Sequence, residues 1–578
     1  MRKHLTIYQM NNKKFYQFIL ASSIIFSTSF VCPIQAQTQQ VEANIDASKQ
    51  VNHIIETWDS NQTPGVAISI IKDGLNVYQK GVGKANLEYE IPISASTIFH
   101  VASIAKQFTA FSILLLEKEG KLSLDDDIKK YIPEVPDFGN IITLKHLLFH
   151  TSGIRDHGEA LALAGWRDDD VITKEHIFKM VSRQKELNFE PGSSHLYSNT
   201  GYTLLAEVVE RVSEKTFAEF TSLNIFKPLK MNNTLFYDDY EKIVKNRAYS
   251  YYNNGTEYKK RILNYSSVGA SNLLTTVEDL SLWALNFENP VVGNSEILLK
   301  MEENGILDSG EEINYAFGQV MDSYKGLKRI SHGGVDAGFR AFLARFPSEK
   351  FSIIIASNDA SFDVRGVANK IADIYLKDKI SEEIKIDTTE EIDESIVIDQ
   401  IVLNAYEGNY EVSPDFIIKI TNDSGKLNAQ PTGLPKAKLI SFSQTKFEVQ
   451  GVGVIVEFQP EHNGQVDLIK VNLGGQLKNA YRIASLDLTK INLSEYTGTF
   501  YSDELSTNYS IVIEGENLIA KHFRLSDIKL NLVKKDIYSS STLFFGKVEF
   551  TRDFDNQING FKITNARVKN LYFKKKKD

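Results

Sequence analysis

A serine and a lysine at the start of a predicted helix, Ser103 and Lys106 in FHVASIAKQF (99–108), constrain this chain most. This spacing puts a hydroxyl and an amine on one helix face, one turn apart. Apolar residues follow at helical spacing, at Phe108, Phe111, Leu114 and Leu115. At a helix N-terminus the hydroxyl also lies among unpaired backbone N–H groups. The pattern therefore predicts a serine nucleophile that needs no neighbouring histidine.

A second motif is needed, because a serine three residues before a lysine recurs at Ser69/Lys72, Ser182/Lys185, Ser443/Lys446 and Ser526/Lys529. The segment PGSSHLYSNTGY (191–202) is rich in loop-forming residues and carries Tyr197 and Asn199. We predict that a helix follows from about Thr203. A tyrosine near a buried cation ionises more easily, so Tyr197 is a candidate general base. Asn199 can hold both the lysine and a substrate amide. The alternative is a turn tyrosine and a capping asparagine.

A third motif, SHGGVDAG (331–338), lies between the strand-like runs 326–330 and 339–346. Glycines at a sheet edge allow a ligand to approach the backbone closely. His332, Gly333 and Gly334 are therefore candidates for substrate binding. The alternative is a glycine-rich hairpin turn with an incidental histidine.

The three motifs, in this order, resemble the serine β-lactamase and penicillin-binding protein superfamily. The nearest branch holds class C β-lactamases, D-Ala-D-Ala carboxypeptidases, D-aminopeptidases and related esterases. The resemblance covers about residues 45–380, and it includes HTSGI (150–154) and GASNLLTTVEDL (269–280). It implies an antiparallel sheet flanked by helices with an all-helical lobe, an α/β (α+β) fold.

The resemblance also implies a role for each site residue. Ser103 is the nucleophile, Lys106 its proton partner, and Tyr197 the general base, alone or shared with the lysine. Asn199 orients the lysine and the substrate. The backbone N–H groups of Ser103 and Val335 form the oxyanion hole.

The third motif departs from the lysine version that is common in this superfamily. His332-Gly333-Gly334 matches its His-x-Gly version, and an unperturbed histidine is mostly uncharged at neutral pH. We therefore expect weak β-lactamase activity, and better turnover of small esters or D-amino-acid amides and peptides. If carboxylate binding depends on the imidazolium, affinity should rise as the pH falls toward about 6.

The chain is long enough for several domains. An acidic stretch at 381–398 is interpreted as a linker after the hydrolase domain (45–380), and limited proteolysis near it should leave 37–380 folded. Beyond it LNAYEGNY (403–410) is echoed by LSEYTGTF (493–500), each before alternating strands. This repeat predicts two small all-β modules, 399–486 and 487–578, which resemble the lipocalin-like C-terminal domains attached to such hydrolases.

The N-terminus predicts export. Residues 1–36 combine basic residues, an apolar stretch and Ile34-Gln-Ala36, which is typical of a signal peptide. We expect a periplasmic or secreted enzyme without stable membrane insertion, a retained anchor being the alternative. Cleavage would remove the one cysteine, Cys32, and no convincing metal motif occurs, so no metal or cofactor is expected. His146 and His150 are interpreted as core or capping residues.

The predicted function is an exported serine hydrolase that acts through an acyl-enzyme on D-amino-acid peptides, amides or esters. Its partner would be a small-molecule or peptide substrate, cell-wall-derived compounds included. The net charge of −9 argues against nucleic acid. Three alternatives stay open: a class C type β-lactamase, a non-catalytic sensor of peptidoglycan or β-lactams, and an interaction protein built around the β modules. The sequence does not indicate an oligomeric state.

Overall fold

The computed structural model describes residues 45–60, 62–167, 169–381, 398–413, 416–432, 434–450, 454–462, 464–473, 476–483 and 491–577. The signal peptide predicted at 1–36 and all but the ends of the acidic linker predicted at 381–398 lie outside these residues. Within the described part of the chain, no helix is both long and apolar enough to cross a membrane.

A six-stranded antiparallel sheet forms the centre of the N-terminal domain. Its strands are β1 (Val66–Lys72), β2 (Leu75–Val82), β3 (Val320–Tyr324), β4 (Leu327–Asp336), β5 (Phe339–Phe346) and β6 (Phe351–Ser357). The order across the sheet is β3-β4-β5-β6-β1-β2, so strands from both ends of the domain meet at the β1–β6 pair. The predicted hairpin β1–β2 turns at Asp73 and Gly74, which both have positive φ, as this tight turn requires.

Helices cover both faces of the sheet. They are α1 (45–55), α2 (Ala105–Lys118), α3 (Leu144–Leu148), α4 (His157–Leu163), α5 (Lys174–Val181), α6 (Asn199–Ser213), α7 (Phe217–Thr221), α8 (Val277–Asn286), α9 (Ser295–Lys300) and α10 (Val364–Tyr375). Helices α1 and α10 share an apolar cluster with one face of the sheet. On the other face, α8 packs on β1 and β6, and the lobe that contains α2–α7 extends from it.

The described part of the N-terminal domain also contains three small sheets of short strands. They are Lys84–Asn86 with Ile91–Pro92, Phe99–His100 with Leu235–Phe236 and Leu273–Thr275, and Tyr251–Asn253 with Tyr258–Lys260. The prediction of an antiparallel sheet flanked by helices, with a helical lobe, is confirmed.

The C-terminal region forms two closed barrels of eight strands each, which confirms the predicted pair of all-β modules. Helix α11 (Gln400–Tyr406) precedes the first barrel, whose strands are Gly408–Ser413, Phe416–Asp423, Lys426–Pro431, Ala437–Ser441, Lys446–Val449, Val454–Pro460, Val466–Leu473 and Gln476–Ile483. The strands of the second barrel are Gly498–Ser502, Thr507–Glu514, Asn517–Lys521, Ile528–Lys534, Ile537–Ser539, Lys547–Arg552, Ile558–Thr564 and Leu571–Lys575.

The two barrels differ in how they join the N-terminal domain. The first barrel has an apolar core of its own. The second barrel belongs to the same continuous apolar cluster as the helical lobe. The buried hydroxyl of Tyr509, for example, donates to the carbonyl oxygen of Leu163 in α4 at 2.9 Å. The second barrel is therefore packed as a part of the lobe.

Candidate active site

Ser103 lies in a single 3-10 turn, Ala102–Ile104, directly before α2. Ala102 has a φ of +48°, a left-handed conformation that alanine rarely adopts. Backbone strain of this kind persists where the surrounding structure holds it, often at functional sites. The turn brings Ser103 to the wall of a cavity of about 540 Å³ between the sheet and the lobe.

Lys106 is completely buried behind this serine. Its Nζ lies 3.1 Å from Ser103 Oγ, 2.8 Å from Asn199 Oδ1 and 2.7 Å from the carbonyl oxygen of Ala270. Burial lowers the pKa of Lys106 to about 7. A neutral amine fits these contacts, because two N–H bonds can point at the two carbonyl oxygens and the lone pair at the serine hydroxyl. Lys106 thus has the position and the pKa of a base for Ser103.

Tyr197 is close to both residues but differs from the expectation for an ionised base. The Lys106 Nζ lies 4.8 Å from the centre of its ring. Burial raises the pKa of Tyr197 above its usual value, an effect that the nearby Ser103 only partly offsets. Contrary to the prediction from the sequence, the nearby cation therefore does not make this phenol easy to ionise: Tyr197 stays protonated, and the group with the matched pKa is Lys106.

Asn199 is the first residue of α6, so that helix starts about one turn before the predicted Thr203. The reason is a tertiary contact: the Asn199 N–H donates to Asp156 Oδ2 at 2.7 Å. Asp156 is buried, and its other carboxylate oxygen caps α4 through Gly158 N–H at 2.9 Å. One carboxylate thus fixes the N-termini of α4 and α6. Sequence reasoning missed Asp156, because it lies far from Asn199 along the chain.

The third motif lies at the end of strand β4. The side chain of His332 is buried, with Nδ1 2.7 Å from the carbonyl oxygen of Gly333 and Nε2 3.4 Å from Tyr315 Oη. Burial and the charge of Lys106 lower the pKa of His332 to about 4. His332 is therefore neutral at pH 6 as well as at pH 7, and the expected gain of carboxylate affinity near pH 6 does not follow from this residue.

Gly333 and Val335 line the cavity, while Gly334 faces the segment before Ser103. A Cβ on Gly334 would lie 2.2 Å from the carbonyl oxygen of Val101. The backbone of β4 therefore packs directly against the turn of the serine. This proximity is what an oxyanion hole shared by Ser103 and Val335 needs, and that role stays a prediction.

Two acidic residues in the cavity carry no signal in the sequence. Asp336 accepts hydrogen bonds from Tyr265 Oη at 2.5 Å and from Ser271 Oγ at 2.8 Å. Glu159 lies in the first turn of α4, and burial together with the Asp156 charge raises its pKa to about 7. Arg567 of the second barrel also lines the cavity.

The two histidines that the sequence predicts to be core or capping residues have those roles in the structure. His146 Nδ1 accepts from the Thr143 N–H at 3.3 Å and so completes a capping box at α3. His150 is buried, and its Nδ1 accepts from the Ser198 N–H at 3.1 Å. In the described part of the chain, no three His, Cys, Asp or Glu residues come together as a metal site would require.

Comparison with known proteins identifies a family for the N-terminal domain. Residues 51–376 match the family model described as Beta-lactamase. Penicillin-binding protein 4* of Bacillus subtilis is 25% identical over 429 residues, which cover 71% of this chain and 93% of that protein.

Two solved structures share the fold. The octameric penicillin-binding protein homologue from Pyrococcus abyssi is 24% identical and superposes with a TM-score of 0.54 over 75% of this chain and 100% of its own. The D-amino acid amidase from Ochrobactrum anthropi is 19% identical, with a TM-score of 0.50 over 58% of this chain and 99% of its own. With more than half of its length matched by the family model, this chain belongs to the beta-lactamase family of serine hydrolases.

Proposed function

We propose that this chain is an exported serine hydrolase that acts through an acyl-enzyme on D-amino-acid peptides, amides or esters. The observation that carries the proposal is the buried Lys106 amine, 3.1 Å from Ser103 Oγ and with a pKa of about 7. A general base works best when its pKa is near the operating pH. Ser103 is then activated without a histidine or a metal.

The proposed reaction has two halves. Ser103 Oγ attacks the substrate carbonyl carbon, and its proton passes to Lys106 Nζ. The bond to the leaving nitrogen or oxygen then breaks, the leaving group takes that proton, and an ester to Ser103 remains. Water attacks this ester, gives a proton to Lys106, and the acid leaves as Ser103 recovers its proton. The backbone N–H groups of Ser103 and Val335 would stabilise the oxyanion in both halves.

Tyr197 has a different proposed role from that of the base. Its buried hydroxyl keeps its proton and lies beside Ser103. A protonated phenol can relay the proton: Tyr197 gives its own proton to the leaving group and receives in its place the one that Lys106 took from Ser103. Asn199 would hold both Lys106 and the substrate amide, since its amide group has a donor beside the acceptor that the lysine uses.

The third motif and the relatives support the proposed substrate class. A neutral His332 provides no fixed positive charge for the carboxylate of a β-lactam. The relatives include a protein named penicillin-binding protein 4*, and the shared fold also serves a D-amino acid amidase. We therefore favour D-amino-acid amides, peptides and esters over β-lactams.

The substrate proposal is tested with matched compounds. D-alanine 4-nitroanilide should be hydrolysed faster than its L-enantiomer, and the chromogenic cephalosporin nitrocefin should be turned over slowly. Ser103→Ala should remove all of these activities. Preference for the L-enantiomer, or efficient nitrocefin turnover, would contradict the substrate class. A burst of one product equivalent without turnover would favour the sensor alternative.

Export is proposed from the basic and apolar residues of 1–36. Expression of the full chain in a bacterial host, followed by cell fractionation and mass spectrometry of the N-terminus, tests it. The expected result is a periplasmic or secreted protein that begins after Ala36. Uncleaved protein in the membrane fraction would support the retained anchor.

A further inference from the structure

The second barrel contributes a loop to the wall of the catalytic cavity. The loop, residues 565–570, connects the strands Ile558–Thr564 and Leu571–Lys575. Its first residue, Asn565, fixes the turn, because Asn565 Oδ1 accepts the N–H groups of Arg567 at 3.0 Å and Val568 at 2.7 Å. The loop therefore has a defined conformation of its own.

The N-terminal domain holds this loop from two sides. Asn188 donates from Nδ2 to the carbonyl oxygen of Arg567 at 2.9 Å and accepts the Lys569 N–H at 2.8 Å. Arg155 donates from Nη2 to the Lys569 carbonyl oxygen at 3.0 Å. Arg155 is itself buried and paired with Glu504 of the same barrel. These contacts fix the backbone from which the Arg567 side chain reaches the cavity.

The guanidinium of Arg567 lies beside the catalytic residues. Its carbon is 4.8 Å from the centre of the Tyr197 ring, on which it can stack. Its nearest carboxylate oxygen is Asp156 Oδ2, at 3.8 Å from Nη1, too far for a hydrogen bond. Among the described residues its side chain donates no hydrogen bond, and 37% of that side chain is exposed. Its donors are thus available to a ligand.

Other arginines around this interface are already engaged. Arg524 of the barrel forms two contacts of 2.6 Å with Asp170, and Arg167 at the cavity rim pairs with Asp169 at 2.6 and 2.9 Å. The charge of Asp156 is shared among the N–H groups of Asn199, Gly158 and Glu159. Arg567 is therefore the cation of the cavity wall that is best placed to take up an external anion.

We propose that Arg567 is a specificity-determining residue that binds a carboxylate group of the substrate inside the catalytic cavity. The inference rests on the proposed hydrolase function, and it gives the second barrel a part in substrate selection. Arginine presents a planar fork of N–H donors that matches a carboxylate, and such charge-assisted bonds are about twice as strong as neutral ones. This charge enters from the barrel, over the Tyr197 ring, and does not replace a lysine at the position of His332.

Two pairs of esters test the proposal, one for each side of the scissile bond. On the acyl side, mono-4-nitrophenyl succinate is compared with 4-nitrophenyl butyrate. On the leaving-group side, 4-acetoxybenzoate is compared with its methyl ester. In Arg567→Gln, the ratio of kcat/KM for the charged ester to that for the neutral ester should fall roughly 10- to 100-fold in at least one pair, as expected for the loss of a charge-assisted bond. Arg567→Lys should retain part of the preference for the charged ester.

Arg524→Gln is the matched control, because it removes another arginine of the same barrel that contacts the lobe. It should leave both ratios unchanged. The proposal is overturned if Arg567→Gln leaves both ratios unchanged, which includes an equal fall of kcat/KM for the charged and the neutral ester. It is also overturned if Arg524→Gln lowers the ratios as much as Arg567→Gln does. Failure of the proposed function would look different: Ser103→Ala would then hydrolyse all four esters at the wild-type rate.

Discussion

The amine of Lys106 lies over the face of the Tyr197 ring, 4.8 Å from its centre, and points at the Ser103 hydroxyl. This relationship separates the two candidates for the general base. Burial lowers the pKa of the lysine to about 7 and raises that of the tyrosine. Since desolvation favours the neutral form of both groups, the same environment prepares the amine to accept a proton and the phenol to keep one.

The first prediction concerns pH. Lys106 must be neutral to accept the serine proton, so kcat/KM for a neutral ester should fall about tenfold for each pH unit below a pKa of about 7, and level off above it. Initial rates measured from pH 5 to 9 define this acidic limb of the pH profile.

Glu159 provides the control for that limb, since its pKa is also raised to about 7. The limb should stay in place in Glu159→Gln. If it disappears in that variant, the titrating group is the glutamate, and the assignment of Lys106 as the base is wrong.

The second prediction compares two neighbouring glycines of strand β4. A Cβ on Gly334 would lie 2.2 Å from the Val101 carbonyl oxygen, whereas the nearest atom to a Cβ on Gly333 is 3.9 Å away. Gly334→Ala must therefore displace the strand from the Ser103 turn, and we expect kcat to fall by about 100-fold or more, as for the loss of an oxyanion donor. Gly333→Ala should keep most of the activity. Equal effects of the two variants, in assays of protein checked for folding by circular dichroism, would contradict this geometry.

The third prediction concerns the buried ion pair of Arg155 and Glu504 between lobe and second barrel. Arg155→Met leaves the carboxylate buried without its partner, which should cost about 3–5 kcal/mol of stability. The partly exposed pair Arg524–Asp170 is the matched comparison, and its loss should cost about 1 kcal/mol or less. Calorimetry of Arg155→Met and Arg524→Gln should show a much larger drop in Tm for Arg155→Met. Similar drops in Tm would show that the buried ion pair does not hold the second barrel on the lobe.

The fourth prediction revises the expected behaviour of the isolated N-terminal domain. Because the second barrel shares the apolar core of the lobe, cleavage within 382–397 should leave the two pieces associated on size exclusion. Expressed alone, residues 45–381 would expose that apolar face and should aggregate. A soluble and fully active fragment would restore the view that the barrels are accessory.

The sequence predicts the parts of this molecule that depend on local pattern. Helical and alternating periodicities, the Asp73-Gly74 turn and the repeat in the C-terminal region are local signals, and they lead to the observed sheet, lobe and two barrels. The resemblance of three motifs also identifies Ser103, Lys106 and Asn199, and the structure brings Lys106 into contact with each of the other two.

What the sequence does not predict depends on contacts between distant segments. Asp156 starts α6 from another helix, the Ala270 carbonyl oxygen binds Lys106 through a main-chain atom that no residue type marks, and Arg567 arrives from the second barrel. The pKa shifts of Tyr197 and His332 also cannot be predicted from the sequence, because burial is a property of the folded site and is the largest cause of both shifts.

The central claim is that Ser103 forms the covalent intermediate, and labelling by a fluorophosphonate tests it most directly. Intact-mass spectrometry at pH 8, followed by peptide mapping, should show one adduct per chain, on Ser103. Ser103→Ala should show none, while Ser271→Ala, which removes another serine hydroxyl of the same cavity, should still be labelled. An adduct on a different serine, or labelling that persists in Ser103→Ala, would contradict the account.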